Sequence, residues 1–244
     1  MKIIQHLNDL DDIYARWPHL HPAYEPEPTP TQKDKQPMNT ETTQTTRTGL
    51  TNLAEIVSAI ALHASTDKGR YALTGIYICN EYLSATDSYT LGQYTPTEPI
   101  TTGQPALIDA RELTTALNNL TKAAKNYQAA QAHLTITGQT WQLTGTIGDD
   151  LASMFGSYSG QTMPAEYPNT QQLFEHAAPA TTPFEATGLN PEYLERITKA
   201  SRKISKTTPL KMAIWQTPEK PIIFTTTTEA GQLDQILMPQ RLNP

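Results

Sequence analysis

One pattern comes three times along this 244-residue chain and limits what it can become. A helix-spaced apolar stripe is followed each time by three short runs rich in β-branched and aromatic residues. The first stripe is Leu53, Ile56, Val57, Ile60 and Leu62. It predicts a helix over residues 52–64, with Asn52 and Glu55 spaced as a capping box. The second is Leu113, Leu117 and Leu120, entered from a short strand, Ala106-Leu107-Ile108, with Asp109 as N-cap and Glu112 three residues on. The third is Tyr193, Leu194, Ile197, Ala200 and Ile204, with Asn190 as N-cap and Pro191 at the first helical position, where proline fits a helix start. The strand-like runs are 71–80, 82–85 and 89–94 after the first helix. They are 133–137, 140–146 and 152–158 after the second, and 210–215, 221–226 and 233–238 after the third. Turn residues such as Gly138-Gln139 and Pro218-Glu219 separate them. The recurring unit is strand–helix–three strands, which predicts an α+β fold of antiparallel sheets with the helices gathered on one face.

The chain before this pattern has another character. Residues 21–49 carry Pro22, Pro26, Pro28, Pro30 and Pro37, many threonines and almost no large aliphatics. Such a composition cannot bury enough surface to offset the entropy of ordering, so a disordered linker is expected. Ahead of it, Ile3, Ile4, Leu7, Leu10, Ile13, Tyr14 and Trp17 fall near helical spacing. Residues 1–20 read either as a short tethering helix or as a floppy tail, with Met38 as an alternative start. The expected divisions are 1–49, 50–175 and 176–244.

Several function classes are disfavoured. The single cysteine, Cys79, leaves no internal disulfide and no Cys-rich metal site, and a reducing cytoplasm is the default. No run approaches 18 consecutive apolar residues, and the N-terminus lacks the pattern of a signal peptide. His19 and His21 have no acidic or cysteine partner at ligand spacing. Asp149-Asp150 sits in an expected turn with no further acids. Gly156-Ser157-Tyr158-Ser159-Gly160 resembles a serine elbow except that tyrosine holds the nucleophile's place. There is no phosphate-binding glycine loop. No catalytic constellation, metal set or cofactor motif is expected.

Net charge is −6, so no global field draws the chain to nucleic acid. Charge is uneven, however. On the third helix, Arg196, Lys199, Arg202, Lys203 and Lys206 are placed opposite the apolar stripe, and the second helix adds Arg111, Lys122 and Lys125. Clustered cations on a helix face suit sequence-independent phosphate contact. They equally suit an ordinary solvated face.

The end of the sequence is apolar: Ile236-Leu237-Met238-Pro239, then Gln240-Arg241-Leu242. This Met-Pro-x-Arg-Leu ending resembles that of the bacterial replicative sliding clamp, the β subunit of DNA polymerase III. Three further segments carry the same resemblance in the family's order: Arg70 to Gly75, Leu83 to Leu91 with its Ala85-Thr86-Asp87, and Tyr167-Pro168-Asn169 leading to Leu173-Phe174. The resemblance covers roughly residues 50–242. It implies a clamp domain like the central one over 50–175 and a half-domain like the C-terminal one over 176–244.

It also implies a hydrophobic cleft for peptides of polymerases and clamp loaders. That cleft would be lined by Arg70, Leu73, Thr86, Tyr89, Leu91, Pro168, Leu173, Ile236, Leu237, Met238, Pro239, Arg241 and Leu242. The implied function is a non-catalytic processivity factor that holds duplex DNA without reading it, with no cofactor and a homo-oligomeric ring. The alternative is an adaptor or decoy that keeps the cleft without encircling DNA. Ser88 stands where the family usually has glycine, Thr90 where it has arginine, and Gln240 where it has an apolar residue. Family rings hold twelve half-domain units and this chain shows three, so four chains would supply a ring.

Overall fold

The computed structural model describes residues 44–97, 105–127, 129–148, 151–175, 188–213 and 221–240. The helix expected in 1–20, the His19/His21 pair, Asp149-Asp150, Arg241 and Leu242 lie outside them. In chain order the elements are β1 (Gln44–Gly49), α1 (Leu50–Ile60), β2 (Gly75–Ile78), β3 (Leu83–Thr86) and β4 (Thr90–Pro96). Then come β5 (Ala106–Asp109), α2 (Ala110–Ala123), β6 (Ala130–Thr137), β7 (Thr140–Ile147) and β8 (Met154–Gln161). A short α3 (Gln171–Glu175) precedes α4 (Pro191–Ile204), β9 (Lys211–Ala213), β10 (Ile222–Thr228) and β11 (Gly231–Leu237). The expected α+β class is present. Every strand pairing is antiparallel, in one sheet ordered β1-β6-β7-β8 and a second ordered β5-β2-β3-β4-β11-β10-β9.

Two caps form as the sequence predicts. Asp109 accepts from the backbone N–H groups of Arg111 and Glu112, and Asn190 accepts from that of Glu192. The first helix differs. It begins at Leu50, with Gly49 in the cap position making no side-chain cap, so Asn52 and Glu55 are exposed positions inside the helix and form no capping box. Leu50 is buried, and its place in the core pulls the helix start two residues earlier. The linker expected over 21–49 is corrected at its end: residues 44–49 form β1, which pairs with β6 from Gln44↔Ile136 to Gly49↔Gln131. The edge of β6 supplies β1 with backbone partners along its whole length. The run 71–80 is also shorter as a strand, because residues 71–74 wind into a 3-10 turn.

The largest core joins the three long helices to both sheets. Leu53, Val57 and Ile60 of α1 pack with Leu113, Leu117 and Leu120 of α2, Ala200 of α4, and inward residues of both sheets such as Ile76, Leu83, Leu134 and Leu233. Helix α1 lies between α2 and α4. The seven-stranded sheet therefore has a helix face, and a second face covered by the segment 163–174. Tyr167 stacks on Tyr77 at 5.1 Å, and the Met163 N–H donates to the Leu107 carbonyl.

His63 is buried where α1 ends, directly under Gly92. The Gln235 amide nitrogen donates to Ser201 Oγ at 2.8 Å, which turns Gln235 Oε1 towards His63 Nε2 at 3.0 Å. His63 is thus the neutral Nε2–H tautomer, and its Nδ1 lacks a partner. Burial lowers its pKa to about 4, against smaller opposing effects of Asp87 and the Gln235 bond. In the unfolded chain an ordinary histidine takes up a proton near 6.5. The folded state refuses that proton, so stability falls as pH drops from about 6.5 to about 4, by roughly 3 kcal/mol. Urea unfolding at pH 7, 5.5 and 4.5 should show this loss, and His63→Gln should flatten it. An unchanged slope in His63→Gln would remove His63 as its source.

Candidate peptide cleft and cationic helix face

The turn between β3 and β4 is built by Asp87. Its Oδ1 accepts from the backbone N–H groups of Tyr89 (3.0 Å) and Thr90 (2.8 Å) and from Thr90 Oγ1. Thr86 Oγ1 donates to the Thr90 carbonyl and accepts from the Ser88 N–H. The second carboxylate oxygen of Asp87 takes the Arg196 guanidinium from α4 in a partly buried ion pair. Arg70 Nη1 donates to the Asp87 carbonyl at 3.1 Å and its guanidinium lies 5.9 Å from the Tyr89 ring centre. Tyr89 stacks on Tyr193 at 5.4 Å, and Arg196 lies 5.1 Å from the Tyr193 ring centre. Two arginines and two tyrosines thus clasp one acidic turn.

Beside this turn, on the sheet face away from α1 and α4, Leu91, Leu173 and Ile236 form a buried cluster. Ile223, Phe174 and Met238 pack half-exposed around it. Its register comes from β4 pairing with β11, which sets Leu91 opposite Ile236, and the Met238 N–H continues the contact by donating to the Tyr89 carbonyl at 3.1 Å. Short α3 delivers Leu173, anchored where its N–H meets the Thr170 carbonyl. The expected cleft residues Leu91, Leu173, Ile236 and Met238 therefore converge, with Tyr89 joined to Met238 through the backbone. Thr86 and Arg70 hold the turn. Leu73 is buried, and Pro168 and Pro239 are half-buried.

Leu237 departs from the expected wall. Successive strand residues point to opposite faces, and Leu237 is buried with Ile197, Ile222 and Phe224 under α4. Arg196 departs from the expected cationic face. Helical geometry puts it only about 100° from the centre of the apolar stripe, at the flank, where it is half-buried and bound to Asp87. Lys199, Arg202, Lys203 and Lys206 are exposed, as are Arg111, Lys122 and Lys125, and Lys199 pairs with Glu195 at 2.8 Å. Sequence reasoning missed Asp87 as the hub, Tyr193 as a stacking partner, and Phe174 and Ile223 as flanking apolar groups.

Two open cavities lie elsewhere. One, about 540 Å³, is between α1, the end of α4 and the β10–β11 turn. The other, about 630 Å³, lies between the end of α1 and the start of α2, with Lys68 and Arg111 at its wall. Among the described residues no group of three His, Cys, Asp or Glu is placed to hold a metal ion, and no helix is long and apolar enough to cross a membrane.

This architecture, antiparallel sheets outside and helices on one face in repeated half-domains, is the DNA-clamp fold. Solved structures of bacterial DNA polymerase III β subunits share it. The Helicobacter pylori β clamp in complex with 3,4-difluorobenzamide aligns with a TM-score of 0.61 at 10% identity, over 86% of this chain and 69% of that one. The Thermotoga maritima β subunit aligns at 0.57 and 14% identity, over 91% and 70%. The Bartonella birtlesii sliding clamp bound to griselimycin aligns at 0.57 and 14%, over 89% and 69%. No protein-family model matches the chain, and no characterised protein matches it by sequence.

Ser88, where the resemblance leads one to expect glycine, adopts φ = +77° and leaves its buried Oγ without a partner. A left-handed backbone costs a residue with a β-carbon about 1–2 kcal/mol. Ser88→Gly is therefore expected to stabilise the protein by about 1 kcal/mol, after the loss of some chain entropy. A thermal melt checks this. A lowered midpoint would show that Ser88 Oγ contributes a contact stronger than the backbone strain.

Proposed function

We propose that this chain is a non-catalytic DNA clamp subunit that tethers replication proteins by their short hydrophobic peptides. The observation that carries the reading is the apolar seam of Leu91, Leu173 and Ile236 with Met238, Phe174 and Ile223 at its margin, next to a turn held rigid by Asp87. Flexible methionine beside aliphatic walls suits a site that accepts varied apolar peptides. Arg70, Leu73, Thr86, Pro168, Pro239, Arg241 and Leu242 complete the proposed surroundings, and Leu237 supports them from the opposite face. Duplex DNA would lie against the helices, held by Lys199, Arg202, Lys203 and Lys206 of the third unit and by Arg111, Lys122 and Lys125 of the second. Arg196 is left out of that group because Asp87 already neutralises it.

A fluorescent clamp-binding peptide should bind the full chain, and Met238→Lys, at a half-exposed position, should weaken it at least about tenfold. Wild-type protein that ignores the peptide, or equal binding by Met238→Lys, would sink the cleft assignment. DNA binding should be sequence-blind and fall steeply with salt, and charge reversal at Lys199, Arg202 and Lys203 should flatten that dependence. The three half-domain units favour one second reading, an adaptor that keeps the cleft without enclosing DNA. Retention on closed circular DNA with release on linearisation supports the clamp. Peptide binding without such retention supports the adaptor.

A further inference from the structure

The β3–β4 turn depends on one acid, and that acid needs a positive partner. The Asp87 side chain is only 11% exposed, and its Oδ1 is committed to the Tyr89 and Thr90 N–H groups and to Thr90 Oγ1. A carboxylate taken that far out of water is costly unless a cation meets it. Residues 86–90 contain no cation. The resemblance leads one to expect arginine at position 90, but the residue there is Thr90, 1% exposed.

The cation comes instead from α4. Arg196, 109 positions away in the chain, sets its Nη1 on Asp87 Oδ2 and 3.4 Å from Thr90 Oγ1. Its guanidinium thus occupies the space beside the side chain of residue 90. The same group lies 5.1 Å from the Tyr193 ring centre, and Tyr193 stacks on Tyr89 at 5.4 Å. One side chain therefore holds the turn twice, by charge on Asp87 and by the aromatic pair on Tyr89. A planar guanidinium can serve both contacts, whereas an ammonium is a point charge.

The turn in turn holds the cleft. The Tyr89 carbonyl accepts the Met238 N–H at 3.1 Å, and Leu91, two residues on, packs with Leu173 and Ile236. Arg196 acts on this seam through Asp87 and Tyr89, from the opposite side of the sheet. On the cleft reading proposed above, we infer that Arg196 is the positioning residue of the peptide cleft. It supplies from α4 the positive charge expected at position 90, so the cleft's affinity for apolar peptides is set partly from the helix face.

Peptide affinity and amide exchange of the full chain test this together. Arg196→Ala should weaken the fluorescent clamp-binding peptide by about tenfold, the scale on which a residue acts on a site it does not touch. Adding Thr90→Arg to that variant should recover most of the loss, because the vacated space takes the new guanidinium. Thr90→Arg alone should weaken binding, because two guanidinium groups then compete for Asp87. General destabilisation would not produce this reversal of sign. If Thr90→Arg does not fold, Arg196→Lys serves in its place: it keeps the charge and should lose only about threefold. Exchange at the Tyr89, Thr90 and Met238 amides should quicken at least about tenfold in Arg196→Ala, while amides of β6 and β7 keep their wild-type rates. Unchanged peptide binding in Arg196→Ala, the same effect of Thr90→Arg in both backgrounds, a loss in Arg196→Lys as large as in Arg196→Ala, or faster exchange spread over β6 and β7 would each overturn the inference and leave the cleft standing. A wild type that ignores the peptide would overturn the cleft, and this role of Arg196 with it.

Discussion

The antiparallel pairing of β4 with β11 is the contact on which the rest of this structure depends. It joins residues 90–96 to residues 231–237, from Thr90↔Leu237 to Gly231↔Pro96. Without it the third unit would have its own small sheet and no shared face with the first. With it, β10 and β9 extend one seven-stranded sheet and α4 is brought against α1. So long a closure is entropically expensive. Several interactions in the same place offset the cost: Leu233 in the main core, Ile236 with Leu91, and Gln235 linking His63 to Ser201.

The pairing also divides labour between the two faces of the sheet. Side chains alternate along β11, so Leu233, Gln235 and Leu237 serve the helix side while Ile236 meets Leu91 on the other. The helix side packs α1 and α4 and so fixes where the exposed cations of α4 stand. The opposite side holds the apolar seam. Asp87 ties the two together, because one carboxylate shapes the β3–β4 turn while also receiving Arg196 from α4. A shift of α4 would therefore be felt at Tyr89, through both the ion pair and the stack on Tyr193. The physics is a short chain of partly buried contacts between the two proposed surfaces.

Much of this was legible in the sequence for one reason: helix stripes and strand runs carry their periods locally. Asp109 and Asn190 cap the helices they were expected to cap, and the Gly138-Gln139 turn closes β6 onto β7 between Thr137 and Thr140. What was not legible depends on partners distant in the chain. β1 has three β-branched threonines but no apolar alternation to mark it as a strand, and its pairing is with the distant β6 edge. Arg196 was placed with the other cations because helical spacing alone leaves a flank residue ambiguous, and only Asp87, more than a hundred positions away, decides its direction. The resemblance implies one wall holding both Ile236 and Leu237, although neighbours on a strand point to opposite faces.

The same logic bears on how much positive charge the helices can present. Of the five cations in the third stripe, Arg196 is neutralised within the fold and Lys199 is shared with Glu195. Arg202, Lys203 and Lys206 stand free of any ion pair among the described residues, and the long, exposed Lys199–Glu195 pair is weak enough to yield to a phosphate. Helix α1 contributes no cation and exposes Glu55 between its two basic neighbours. A single chain thus offers two basic strips separated by an acidic gap, which favours electrostatic contact with a polyanion that is loose and sequence-blind over contact that is tight. Exposed, salt-screened charge of this kind interacts weakly and without sequence preference.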